Sequence, residues 1–204
     1  MAKGREMERY RSYKELKKNE ILGQDYRIRN RDGSSGIVVI APHGGGIEPG
    51  TTEIAEAVAG RQHRFYTFSG IKSMGNSDLH ITSTNFNEPE GLRMVERSRI
   101  IIAIHGCRER EKLIFTGGRD KFLKEKIGRQ LTKEGFEVSS SNRFPGVNLL
   151  NICNRSRLGM GVQLEISVGL RRDMFEEISR IFRKQKTPVF DQFIRAVRAA
   201  IADY

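Results

Sequence analysis

The feature that most constrains this chain is an apolar run that stops on a histidine. Ile37-Val38-Val39-Ile40-Ala41 leads into Pro42-His43-Gly44-Gly45-Gly46, and then into Ile47-Glu48-Pro49-Gly50. A short apolar run of this kind reads as a strand buried on both faces, as in a parallel sheet with helices above and below. The glycines permit a sharp turn and a close approach of backbone to whatever is bound there. Pro49 biases Glu48 toward extended backbone, so Glu48 belongs to the loop and not to the helix that follows. His43 and Glu48 then meet at the carboxyl end of a strand, where open α/β sheets place their sites. The chemistry of that pair points to zinc ligands. The plain alternative is a Gly-rich turn with an exposed His and Glu.

The same pattern returns once. Ile100-Ile101-Ile102-Ala103-Ile104 ends in His105-Gly106, so two of the four histidines stand just past buried strands. His43, Glu48 and His105 together make a His₂Glu set with one open position, the ligand set of catalytic zinc. Cys107 follows His105 by two residues and is a weak rival ligand; a packed thiol is the better reading. A third apolar strand, Val162-Gln163-Leu164-Glu165-Ile166-Ser167, carries a carboxylate within it. Burying an unpaired charge costs several kcal/mol. Next to a metal, Glu165 would serve as the base that takes a proton from an activated water. Otherwise it faces solvent on an edge strand or pairs with an arginine. Arg155 and Arg157, in Asn151-Ile152-Cys153-Asn154-Arg155-Ser156-Arg157, are candidates to hold an anionic substrate or an oxyanion. His80 and Asn85, in the polar segment from Gly70 to Asn85, join them as candidate substrate contacts. Asp78 and His80 are candidate partners for the outer nitrogens of the metal histidines.

The other elements alternate. Residues 8–20 are mostly charged and predict a short surface helix. Tyr26–Asn30 predicts an edge strand, 51–59 a helix stopped by Gly60, and 63–68 a strand. Further on, 88–97 predicts a helix, 113–115 a strand, 120–134 a helix ended by Gly135, and 136–139 a strand. Two closing helices are predicted. The first has an apolar face of Met174, Phe175, Ile178, Ile181 and Phe182. The second uses Phe190, Phe193, Ile194, Val197 and Ile201, with Pro188 in its first turn. This alternation predicts a single α/β domain over residues 1–204, with a mixed, mostly parallel sheet and helices on both faces; residues 1–20 form a basic N-terminal segment. Walker-type, dinucleotide-binding and G-x-S-x-G patterns are absent.

The net charge of +11 favours a polyanionic partner, with no Trp and no arrangement of arginine and aromatic residues that suggests base stacking. Two cysteines, Cys107 and Cys153, make no disulfide framework and read as free buried thiols in a reducing compartment. No run approaches the ~18 apolar residues of a membrane span. The basic N-terminus has no apolar segment behind it, so no secretory signal is expected. The expected location is the cytoplasm of the producing cell, with extracellular action after release by lysis. The expected state is a monomer.

Four blocks carry a resemblance. They are the run from Ala41 through His43 and Glu48 to Ala55; Asp78-Leu79-His80-Ile81-Thr82-Ser83-Thr84-Asn85-Phe86; Ile102-Ala103-Ile104-His105-Gly106; and Gly161-Val162-Gln163-Leu164-Glu165-Ile166-Ser167. In this order, over roughly residues 35–200, they resemble the poly-γ-glutamate hydrolases of Bacillus phages and prophages, some of which have been labelled phage-related replication proteins. The resemblance implies an α/β fold related to zinc carboxypeptidases. It also implies zinc at His43, Glu48 and His105, Glu165 as general base, and cleavage of γ-glutamyl amide bonds. Carboxypeptidases proper place two residues between the first His and Glu, whereas four stand between His43 and Glu48. The arginines after Asn151 match that group's substrate-carboxylate arginines only loosely. The alternative is a nucleic-acid-binding replication protein without hydrolase activity. It accounts for the charge and leaves His43, Glu48, His105 and Glu165 without a use.

Overall fold

The computed structural model describes residues 8–140, 142–179, 183 and 185–204. Seven strands make one mixed sheet: β1 (Tyr26–Arg31), β2 (Ile37–Gly45), β3 (Arg64–Gly70), β4 (Ile100–Cys107), β5 (Leu113–Gly117), β6 (Glu137–Ser140) and β7 (Val162–Ser167). Across the sheet they lie in the order β1-β3-β2-β4-β7-β5-β6. β3, β2, β4 and β7 run parallel, β1 is antiparallel to β3, and β5 is antiparallel to β7 and parallel to β6. The parallel core has helices on both faces, as the continuous apolar runs require.

Alternation along the strands divides the interior into two cores. Ile37 and Val39 of β2, Ile100, Ile102 and Ile104 of β4, and Val162, Leu164 and Ile166 of β7 face one core. There they meet α2 (Thr51–Ala59), α4 (Lys121–Lys133) and α6 (Pro188–Ile201). Val38 and Ile40 of β2 and Ile101 and Ala103 of β4 face the other core, which holds Met94 and Val95 of α3 (Pro89–Glu96) and the aromatic set Tyr66, Phe68 and Phe86. His105 and Glu165 continue the phase of the second face, while their neighbours Ile104 and Ile166 continue the first.

The local signals for helix ends hold. Gly60 caps α2 at φ 55°, and Gly135 follows α4 at φ 86°. Asp120 accepts from Leu123 N–H at the start of α4. Pro188 opens α6 and Pro89 opens α3. Three expectations need correction. The charged segment 8–20 is not a surface helix. Only Tyr13–Leu16 (α1) is helical, and Tyr10 and Leu16 are buried in the second core. Tyr10 there donates to Glu20 at 2.6 Å. The first of the two predicted closing helices lies elsewhere. β7 passes directly into α5 (Val168–Asp173), capped by Ser167 accepting from Leu170 N–H at 3.1 Å. The chain then leaves the helix at Met174, and Phe175 bridges antiparallel to Lys186. Met174 and Phe175 are buried, so their apolar character records burial and not a helical stripe. Ile178 is outside any helix, and Ile181 and Phe182 lie outside the described residues. Finally, β2 runs past Ile40 to Gly45, so His43 sits within the strand's last turn of pairing.

That extension contains the irregularity on which the site depends. The register of β2 against β3 slips between Ala41 and Gly44. Gly44 at the slip lies against the hydroxyls of Thr52, Thr67 and Ser69, and a Cβ there would meet Thr52 Oγ1 at 2.1 Å and Thr67 Oγ1 at 2.3 Å. The three hydroxyls bond one another at 2.9–3.1 Å, so they have little room to retreat. Gly44→Ala should therefore cost about 1–3 kcal/mol through overpacking. Urea unfolding is the measurement, and an unchanged midpoint would show that the hydroxyl layer yields freely.

Candidate active site

Three parallel strands bring the site together at their carboxyl ends: β2 supplies His43, β4 supplies His105 and β7 supplies Glu165. Glu48 comes from the loop after β2. His105 and Glu165 are register partners across β4 and β7, so their side chains leave adjacent strands on the same face. His43 needs the bulge. Strict alternation from Val39 and Ala41 would turn it into the first core, beside α2. Its ring instead lies 6.3 Å from Phe86 and 4.9 Å from His105, both on the second face. Re-aiming one side chain at the end of a strand is a characteristic use of a bulge.

The donor atoms converge. His43 Nδ1 lies 3.2 Å from Glu48 Oε1 and 3.2 Å from His105 Nδ1, and His105 Nδ1 lies 3.7 Å from Glu48 Oε2. One ligand atom from each of the three residues falls within 4.8 Å of the others. The tautomer of His43 follows from its far nitrogen. Nε2 is 2.7 Å from the carbonyl oxygen of Ile81, which can only accept, so Nε2 carries the hydrogen. Burial, and then the neighbouring His80, push the pKa of His43 down to about 4. Its Nδ1 is therefore an unprotonated lone pair at neutral pH. Burial disfavours charge on His105 as well, but the carboxylates of Glu165 and Glu48 outweigh it and raise its pKa. Glu48 resists burial in the same way: His43 and His105 hold its carboxyl well below the usual range. A lone pair and a carboxylate thus aim at one point, with a second imidazole nitrogen beside them. This donor set fits a zinc ion.

Glu48 is also fixed from outside. Gly106 N–H donates to its Oε2 at 2.8 Å. Arg171, which sequence reasoning did not single out, braces the whole assembly. Its Nε donates to Ile166 O at 3.0 Å, Nη2 to Cys107 O at 3.0 Å and Nη1 to Pro49 O at 2.5 Å. Each carbonyl belongs to a segment that carries a site residue: Ile166 follows Glu165, Cys107 closes the strand of His105, and Pro49 follows Glu48. The guanidinium fills the space beside Gly106, where a Cβ would meet it at 2.6 Å. The only signal in the sequence was an arginine beginning the second turn of a helix right after a buried strand, which by itself has many uses.

Glu165 lines the same cleft and is 9% exposed. Burial raises its pKa, His105 lowers it and Glu48 raises it, with a net value of about 7. Cys107 stands outside the converging donor set. Burial, and then Glu109, push its thiol up to about 12, and its Sγ lies 3.8 Å from Glu165 O. His80 lines the cleft, with its ring 4.0 Å from that of His43 and its Nε2 3.9 Å from Glu48 Oε1. Asp78 lines the cleft but pairs with Arg9 at 2.6 Å. The outer nitrogens of the histidines are met instead by Ile81 O and, at 3.4 Å, by Ser83 Oγ.

Arg155 and Arg157 are not at the site. Arg155 pairs with Glu96 at the end of α3, 2.8 Å away, and Arg157 N–H donates to Ser98 O just before β4. Both lie at the amino end of the parallel strands, opposite His43, Glu48 and His105. The reason is the loop itself: Asn151 and Asn154 turn inward onto Gln163 and Gly146 O and direct the arginines away. Asn85 is exposed on the turn after Thr82–Thr84 and is outside the cleft lining. The cleft holds about 1040 Å³. The arginines that do line it are Arg9, Arg108, Arg143 and Arg171.

Comparison with known proteins decides the family. The model of the poly-gamma-glutamate hydrolase family matches residues 10–196. The chain belongs to that family. It is 33% identical to a bacteriophage poly-gamma-glutamate hydrolase of known structure, superposing with a TM-score of 0.94 over 97% of this chain and 98% of that one. A zinc-free structure of YNDL superposes with a TM-score of 0.92 at 34% identity, over 96% of this chain and 98% of that one. Among proteins of Bacillus subtilis (strain 168), the SPbeta prophage-derived UPF0714 protein YoqZ is 40% identical over 82% of this chain, and the UPF0714 protein YndL is 38% identical over 81%. The chain spans 62% and 66% of the length of these two relatives.

A raised carboxyl pKa has a stability consequence. The unfolded chain releases the Glu165 proton near the ordinary value of 4.5, whereas the folded chain holds it to about 7. Between these values the folded state binds more protons, so this group's contribution to stability declines as pH rises. Glu165→Gln has no such proton. In metal-free protein, the melting temperature of the variant relative to the unsubstituted chain should climb from about pH 5 to about pH 8. A difference that stays flat over this range would show that Glu165 is not held protonated.

Proposed function

We propose that this protein is a zinc-dependent hydrolase that cuts γ-glutamyl amide bonds of poly-γ-glutamate. The observation that carries this reading is the convergence of His43 Nδ1, His105 Nδ1 and Glu48 on one point, with Glu165 beside it in a cleft open to solvent. Family membership supports the substrate, and the zinc-free form of a relative supports the metal. His43, Glu48 and His105 would hold zinc, which when bound polarises an amide carbonyl and acidifies water to a pKa of about 7.

The chain's own residues supply the rest. Ile81 O keeps the His43 proton on Nε2, so Nδ1 is ready to ligate. Gly106 N–H and the Arg171 brace hold Glu48 and its loop in place, which limits the reorganisation needed on ligation. Glu165, which lines the cleft beside His105, accepts a proton from the attacking water and returns it to the leaving amine nitrogen. The C–N bond breaks, water's oxygen joins the carbonyl carbon, and Glu165 ends as a carboxylate once the amine departs. The net charge of +11 draws a polymer bearing one carboxylate per residue toward the cleft.

Elemental analysis of purified protein should find about one zinc per chain, and His43→Ala or His105→Ala should lose it. Full retention in both variants would remove the metal from the reading. Glu165→Gln keeps the shape of the residue but cannot accept a proton. It should retain zinc while turnover on poly-γ-glutamate drops by about 10²–10⁴-fold. Near-normal turnover per folded, zinc-loaded molecule would exclude Glu165 as the base.

A further inference from the structure

Glu8 reaches into the cleft from outside the sheet, and the way it is held says more than its presence there. Its carboxylate oxygen Oε1 lies 3.0 Å from His80 Nδ1 and is also bonded by the Thr82 hydroxyl. Two donors therefore meet one carboxylate oxygen. A contact that merely oriented His80 would not need the one from Thr82.

The donors are set by the loop and do not depend on Glu8. His80 N–H donates to Ser77 O at 3.1 Å, and Ile81 is buried with its carbonyl on His43. Asn85 N–H donates to Thr82 O at 2.7 Å. The loop is thus pinned on both sides of the carboxylate contact and would present the same donors to another anion. One imidazole ring separates these donors from the metal donors, because His80 Nε2 lies 3.9 Å from Glu48 Oε1. Arg9, the next residue, is tied to Asp78 at 2.6 Å and keeps Glu8 over the cleft.

We propose that His80 and Thr82 form a carboxylate subsite of the cleft, occupied in this structure by the chain's own Glu8 as an internal competitor. The inference rests on the hydrolase reading above: a γ-glutamyl polymer carries a free α-carboxylate on each residue, so a carboxylate subsite one ring from the metal donors seats the residue next to the scissile amide. Binding a substrate carboxylate there requires Glu8 to leave, and the cleft entrance is then less anionic by one charge.

The test is binding of glutarate, a five-carbon dicarboxylate, by isothermal titration to the full chain as purified. Glu8→Ala should bind glutarate more tightly than the unsubstituted chain, by about tenfold if Glu8 fills the site about nine-tenths of the time. Adding Thr82→Val, which keeps the side chain's shape and removes its hydroxyl, should weaken binding again by about tenfold, the worth of one hydrogen bond to a charged group. Melting curves confirm that each variant is folded. Equal affinity in the unsubstituted chain and Glu8→Ala, or a doubly substituted protein that binds as tightly as Glu8→Ala, would overturn the subsite. The titration reads binding and a separate assay reads cleavage of poly-γ-glutamate, so the two readings fail separately. Thr82-dependent glutarate binding in a protein that leaves poly-γ-glutamate intact would sink the hydrolase and keep the subsite. Cleavage of the polymer with identical glutarate titrations would do the reverse.

Discussion

The Arg171 guanidinium bonds the carbonyls of Pro49, Cys107 and Ile166, and most of the site's geometry depends on that one cation. The end of a parallel sheet is where backbone carbonyls run out of partners, because the next residues turn away into loops and helices. Here three such carbonyls, from three segments remote in sequence, are gathered by one planar fork of donors. A lysine could satisfy them only one at a time along a flexible stem. Burial lowers the pKa of Arg171, but an arginine remains charged, so its positive charge stays beside Glu48 and Glu165. It offsets part of the cost of keeping two carboxyl groups buried near one point. Gly106 is part of the same arrangement: the absent Cβ leaves room for the guanidinium, and the N–H steadies Glu48.

The bulge in β2 does the complementary work. A parallel strand buried on both faces has no spare side chain to offer a site, since every second residue belongs to one of two cores. Slipping the register between Ala41 and Gly44 turns His43 out of the first core and onto the face of His105 and Glu165. The slip leaves Gly44 packed against three hydroxyls and places a histidine against a carbonyl of the loop that follows β3. That carbonyl then decides which imidazole nitrogen is free. A backbone irregularity thus becomes a choice of tautomer, and through it a choice of which nitrogen faces Glu48 and His105.

Much of this was legible in the sequence because it rests on local rules. Buried strands that end in His-Gly must deliver their histidines at the sheet's edge, and a glutamate two residues from the end of a third such strand must find company. Those statements need only burial and period. The arginines were not legible for the opposite reason. Arg155 and Arg157 look like substrate contacts by composition, but Asn151 and Asn154 turn their loop the other way. Arg171 looks like any helix arginine until its three carbonyls are seen together, and two of those lie 64 and 122 residues away. The stretch around Met174 and Phe175 misled because apolar spacing at a helical period also arises when a turn and a bridge are buried one after the other.

Attracting a polyanion and seating it are different physical tasks, and the structure separates them. The net charge of +11 is a property of the whole surface and acts over the Debye length of about 8–10 Å, without regard to orientation. Around the cleft the cations are already engaged: Arg9 with Asp78, Arg143 with Glu109, and Arg171 with three carbonyls. Exchanging one of these partners for a substrate carboxylate gains little, because a paired charge must first be released. Thr82 and His80 also hold a carboxylate, that of Glu8, but on a loop pinned independently of it, and His80 Nε2 lies 3.9 Å from Glu48 Oε1. Under the proposed function, the basic surface would bring the polymer close, and the Thr82 hydroxyl and the His80 imidazole would set which of its residues lies against Glu165.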